Sequence, residues 1–112
     1  MIIYHNPRCS KSRQALQLLK ENGEEPDVIE YLKNPLNQTE LADLIKKLKI
    51  SAHEILRNNE DEYSELGLSS ETSEEDILTA IAINPILLER PIIVKGRKAL
   101  IARPPELLED LL

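Results

Sequence analysis

Met1 to Gly23 reads "MIIYHNPRCSKSRQALQLLKENG", and its three local signals decide how the rest of the chain is read. "MIIY" is a short apolar run of the kind that forms a strand buried on both faces. From Lys11 to Asn22 the apolar Ala15, Leu16, Leu18 and Leu19 share one broad helical face, and Gly23 supplies the C-terminal stop. Between strand and helix lies "HNPRCSKSR", His5 to Arg13, which holds the only cysteine, Cys9. "DVIEYL", Asp27 to Leu32, alternates well enough for a second strand. A β–α–β start of this kind favours a parallel pair with a right-handed crossover.

Beyond it the pattern changes. "NQTELADLIKKL" opens with Asn37 and Glu40 at capping-box spacing, and Leu41, Leu44, Ile45 and Leu48 form a helical stripe. "SAHEILRNN" repeats the signal with Ser51 and Glu54, and "DEYSELG" reads as a helical turn closed by Gly67. "SETSEEDILTAIAINP" places three acids in its first turn, where the helix dipole favours them, and stops at Asn84–Pro85. Roughly Leu36 to Leu88 is thus expected to be helical, with no strand signal. The end returns to strand: "PIIV" and "KALIA" flank Lys95–Gly96–Arg97, which suits a tight hairpin. "RPPELLEDLL" then starts a terminal helix with proline at its first position. The order describes an α/β, thioredoxin-like fold: a mixed four-stranded sheet with flanking helices, carrying an all-helical insertion. We expect one domain over 1–112, with its core at about 1–35 and 89–112 and the insertion at about 36–88.

Composition narrows the function. The 112 residues are 41% hydrophobic and 30% charged, which is ordinary for a globular protein. With no Phe or Trp, the core must be aliphatic. A net charge of -6 argues against nucleic-acid or anionic-membrane binding, which calls for a basic face. No apolar run approaches a membrane span, and the N-terminus lacks the form of a signal peptide. One cysteine cannot close an internal disulfide, so a reducing, cytoplasmic setting is expected.

A helix N-terminus carries about half a positive charge and unpaired N–H groups, both of which stabilise a thiolate. First turns ordinarily hold Asp or Glu; here Arg8, Lys11 and Arg13 surround Cys9, and no acid appears before Glu21. A buried structural thiol would not call for such surroundings, and an anion-attracting nucleophile would. Several chemistries are excluded. Ser12 stands where a Cys-x-x-Cys dithiol needs its second thiol. The arginine spacing and the missing glycines do not make a cysteine-phosphatase loop. One Cys with the distant His5 and His53 does not make a zinc site.

The segments "IYHNPRCSKSR", "EYLKNP", "LRNNEDEYSELGL", "NPILLERPIIV" and "ARPPE" together resemble the ArsC family of glutathione/glutaredoxin-coupled arsenate reductases, in order along nearly the whole chain. The resemblance implies a thioredoxin-like sheet with a helical insert. It implies that Cys9 is the nucleophile, that His5 supports its ionised state, and that Ser12 lies by the active-site loop. It further implies that Arg57, Arg90 and Arg103 bind the oxyanion, and that Pro91 is the cis proline beside the cysteine. Arsenate or a similar oxyanion would be the substrate, glutathione the co-substrate and glutaredoxin the protein partner, with no metal or tightly bound cofactor. Guanidinium forks suit a tetrahedral oxyanion through paired, charge-assisted hydrogen bonds. The chain departs from the family in Arg8 and Ser10, where a small residue and a glycine often flank the cysteine. Two other classes share features with it. A regulator resembling Spx would bind RNA polymerase, but it normally switches through a Cys-x-x-Cys pair. A single-cysteine, glutathione-dependent thiol transferase would need no three-arginine pocket.

Overall fold

The computed structural model describes residues 1–112. Its contacts divide the chain into two compact units, Met1–Asn34 with Arg90–Leu112, and Pro35–Glu89.

The first unit is built on β1 (Ile2–His5), α1 (Ser10–Glu21), β2 (Asp27–Glu30), β3 (Ile92–Lys95) and β4 (Lys98–Ile101). The strands lie in the order β2-β1-β3-β4. β1 runs parallel to β2 and antiparallel to β3, and β3 runs antiparallel to β4. This is the mixed, thioredoxin-like sheet that the element order implies. β3 is a central strand, and Ile92, Ile93 and Val94 are all buried, as a strand covered on both faces requires. On one face Ile3 and Ile93 pack with Ala15 and Leu19 of α1 and with Ala102, Leu108 and Leu111. Truncating Leu19 or Leu108 there costs about 2–5 kcal/mol.

Two elements of this unit depart from the sequence reading by more than one residue or in kind. β2 ends at Glu30, not Leu32, because the Glu30 carbonyl accepts from the N–H groups of Lys33 and Asn34 and the chain turns away. The terminal element, Pro105–Leu111, is a 3-10 helix following Pro104. Its buried residues, Pro105, Leu108 and Leu111, recur every third position. Three residues per turn aligns them on one face, whereas an α-helix would rotate Leu111 away from the sheet.

The second unit contains α2 (Gln38–Leu48), α3 (Asp61–Glu65) and α4 (Glu74–Ile83), with 3-10 turns at Ala52–Ile55 and Pro85–Leu87. The capping box forms as the spacing indicates: Asn37 Oδ1 accepts from Glu40 N at 2.8 Å, and Glu40 Oε1 accepts from Asn37 N at 3.0 Å. Ser51 and Glu54 form a second box, which opens only a 3-10 turn. Here α4 packs on α2 and on both short turns. The unit is not purely helical. Leu56 and Leu88 form an antiparallel bridge, flanked by Arg57 N to Leu87 O at 2.8 Å and Glu89 N to Ile55 O at 2.7 Å. No helix is long and apolar enough to cross a membrane.

Candidate active site

Cys9 is the N-cap residue of α1, in extended conformation at φ -93° and ψ 122°. The loop before it is held by Asn6. The Asn6 carbonyl accepts from Cys9 N at 3.0 Å, and Asn6 Oδ1 accepts from Arg8 N at 3.0 Å. Asn6 N in turn donates to Ser12 Oγ at 3.0 Å, and the same oxygen lies 2.6 Å from His5 Nδ1. His5, Asn6 and Ser12 are all buried, so strand end, loop and first helical turn form one hydrogen-bonded block beneath the thiol. Buried polar groups satisfied in this way fix a loop more firmly than solvated ones.

Cys9 itself is partly buried. Burial pushes its thiol pKa up, but the backbone N–H of Ser12, the Arg90 guanidinium and the backbone N–H of Lys11 outweigh it, and the net shift is downward. A thiolate is therefore favoured at the helix N-terminus. The cations responsible are not those adjacent in sequence. Arg13 is exposed and donates Nη1 to the Pro7 carbonyl at 2.9 Å, and Lys11 acts on the sulfur through its backbone. Burial also lowers the pKa of His5, with Arg13 and Lys20 adding to the effect and Glu30 opposing it. The ring is consequently neutral near pH 7 and reaches the thiol region through Ser12.

The β3–β4 hairpin brings two further cations, Arg90 and Arg103, to the sulfur. Ile92 pairs with Ile101, and Ala102 N donates to the Pro91 carbonyl at 2.9 Å, which sets Arg90 opposite Arg103 just beyond the strands. The Arg90 guanidinium is close enough to the Cys9 side chain to lower its pKa. Arg103 Nη1 lies 4.0 Å from Sγ and donates to the Arg90 carbonyl at 3.1 Å. The peptide bonds following both arginines, Arg90–Pro91 and Arg103–Pro104, are cis. The first was expected from the resemblance, and the second was not read from the sequence.

Arg57 belongs to the second unit. Its Nε is 3.1 Å from Glu60 Oε1 and its Nη1 is 2.8 Å from Glu89 Oε1. Asn6 is the residue that sequence reasoning missed. Its signal was the Asn6–Pro7 dipeptide, a turn initiator two positions before Arg8.

A thiolate flanked by backbone donors and two guanidinium groups can attack an electrophilic centre that carries negative oxygens. The family profile described as "ArsC family" matches residues 4–111. The chain is 56% identical over 106 residues to the uncharacterized protein YfgD of Escherichia coli strain K12, covering 93% of this chain and 89% of that one. It is 47% identical over 112 residues to an arsenate reductase of Neisseria meningitidis, covering 98% and 96%. Among solved structures, an arsenate reductase from Vibrio cholerae superposes with a TM-score of 0.96 at 41% identity, over 99% of this chain and 96% of that one. Fold, thiol geometry and nearly full-length similarity agree, and the chain belongs to the ArsC family.

Proposed function

We propose that this chain is an arsenate reductase that takes its electrons from glutathione and glutaredoxin. The observation that carries the reading is the Cys9 sulfur at a helix N-terminus, its pKa lowered by the Arg90 guanidinium, with Arg103 Nη1 4.0 Å away. In this mechanism the Cys9 thiolate attacks arsenic(V), a hydroxyl of arsenate leaves as water, and a sulfur–arsenic bond forms. Arg90 and Arg103 bind the remaining oxygens and neutralise the charge that gathers on them. Glutathione then adds to arsenic with loss of a second water. The two sulfurs join as a Cys9–glutathione disulfide, both electrons pass to arsenic, and arsenite departs as arsenic(III). Glutaredoxin takes the glutathione off by disulfide exchange and regenerates the Cys9 thiolate.

His5 and Ser12 act in this scheme by holding the loop and the Ser12 N–H on the sulfur. Arg57 enters it on the family resemblance. The lone cysteine supports an external resolving thiol, since no second sulfhydryl exists in the chain to close a disulfide. Glutathione and glutaredoxin are reductants of the cytoplasm, and the reading puts the protein there.

The test is a steady-state assay with arsenate, glutathione and glutaredoxin, run beside a glutathione mixed disulfide as competing substrate. Arsenite formation that vanishes in Cys9→Ser is the expected result. Turnover of the mixed disulfide without arsenite formation would replace this reading with the thiol-transferase one. Sustained turnover on thioredoxin alone would remove the glutathione step.

A further inference from the structure

Arg8 and Lys11 have no role in the scheme above, although they flank Cys9 in the loop and the first turn of α1. Arg8 is exposed and Lys11 half-buried, and neither belongs to any of the ion pairs of the chain. They sit at the positive end of the α1 dipole, where cations oppose helix formation, and no acid in the first turn compensates them. Their side chains are not what ionises Cys9, because that shift draws on backbone N–H groups and Arg90. Arg13, the third cation of the loop, is already engaged by the Pro7 carbonyl.

An uncompensated pair of cations beside a nucleophile suits an anionic partner of that nucleophile. The oxyanion already has Arg90 and Arg103, and it is too small to need charges farther out. The other reactant is a thiol peptide, whose carboxylates are several bonds from its sulfur. We infer that Arg8 and Lys11 recognise the carboxylates of glutathione as it approaches Cys9, and so select acidic low-molecular-weight thiols over neutral ones. This rests on the proposed use of glutathione, and it assigns that co-substrate its own residues.

The inference is testable without arsenate. Cys9 thiolate exchanges with a symmetrical disulfide: the sulfur–sulfur bond of the reagent breaks, a Cys9 mixed disulfide forms, and one thiolate leaves. Rates are compared for oxidised glutathione, which is anionic, hydroxyethyl disulfide, which is neutral, and cystamine, which is cationic. In Arg8→Ala/Lys11→Ala we expect a loss of roughly tenfold with oxidised glutathione at low salt, shrinking as salt screens the charges. The neutral disulfide should change by less than twofold, which shows that the thiolate itself is intact. Arg8→Glu/Lys11→Glu should shift the preference toward cystamine, and Arg97→Ala should resemble the unaltered chain.

A loss with oxidised glutathione below twofold overturns the inference, and so does an equal loss with hydroxyethyl disulfide. The two proposals also separate cleanly. A chain that reduces arsenate but fails the charge series keeps its function and loses this inference. A chain that passes the series without reducing arsenate does the reverse.

Discussion

Arg57 and the Arg90–Arg103 pair were expected to do the same work, and their surroundings differ. Arg57 is 12% exposed in the helical unit and grips Glu60 and Glu89, themselves only about a quarter exposed. The antiparallel bridge beside it, Leu56 with Leu88, puts Arg57 opposite Leu87 and makes Glu89 its diagonal neighbour. Arg90 and Arg103 stand at the two ends of a hairpin and converge on a sulfur. A guanidinium held by two carboxylates contributes to the fold, whatever else it binds. One aimed at a thiolate is positioned for whatever anion the thiolate attacks. Residue type alone did not distinguish the two situations.

The largest expected effect tests the hairpin side. Arg90→Ala or Arg103→Ala should lower kcat/KM for arsenate by roughly tenfold to a hundredfold, since a charge-assisted bond is worth about 1.5–3 kcal/mol. Thermal stability should barely change. If either variant unfolds instead, that arginine holds the fold, as the ion pairs of Arg57 do.

Arg57→Ala is expected to carry a stability cost that the hairpin variants lack. Losing the two ion pairs from Arg57 to Glu60 and Glu89 should destabilise the fold by about 2 kcal/mol, read as a lowered Tm. Its kcat/KM reads whether the same guanidinium also reaches the oxyanion, as the family resemblance implies. A hundredfold kinetic loss at unchanged Tm would put Arg57 on the same footing as the hairpin pair and erase the contrast.

The pH dependence sharpens the comparison at the sulfur itself. The folded thiol titrates below its ordinary value, so alkylation of Cys9 should persist at a pH where a free thiol has already protonated. Because the folded pKa is depressed, the associated stability is present above the unfolded value, about 8.5, and is lost as pH falls through the folded one. Arg90→Ala should move the midpoint of alkylation upward, because the guanidinium is one of the groups that lower the thiol pKa. An unmoved midpoint would mean that the helix N-terminus alone ionises the thiol. The smallest effect is expected at Arg97, in the β3–β4 turn, where Arg97→Ala should leave turnover, Tm and the alkylation midpoint unchanged.

Much of the fold was legible because its signals span few residues. The Asn37–Glu40 box, the Gly23 stop and the Gly96 turn are each decided within a handful of positions, and all three formed. Cys9 was legible for the same reason, since strand, loop and helix signals converge on it. Arg90 and Arg103 were partly legible. They are equidistant from the Gly96–Arg97 turn, so an in-register hairpin must set them side by side. The 3-10 form of Pro105–Leu111 was not, because "PELLEDLL" satisfies either helical period until the sheet selects the third-residue face.

The sequence by itself determined the order of elements, the position of the thiol at a helix N-terminus, and the absence of a second thiol to resolve it. Those follow from short-range periodicity, capping chemistry and a count of cysteines. Only the tertiary structure decided which cations serve the sulfur. Arg13 is adjacent in sequence yet turns to a carbonyl, whereas Arg90 and Arg103, some eighty and ninety positions away, reach Cys9. Where a long side chain points is settled by strand register and hydrogen-bond partners contributed from elsewhere in the chain, and no local window contains them.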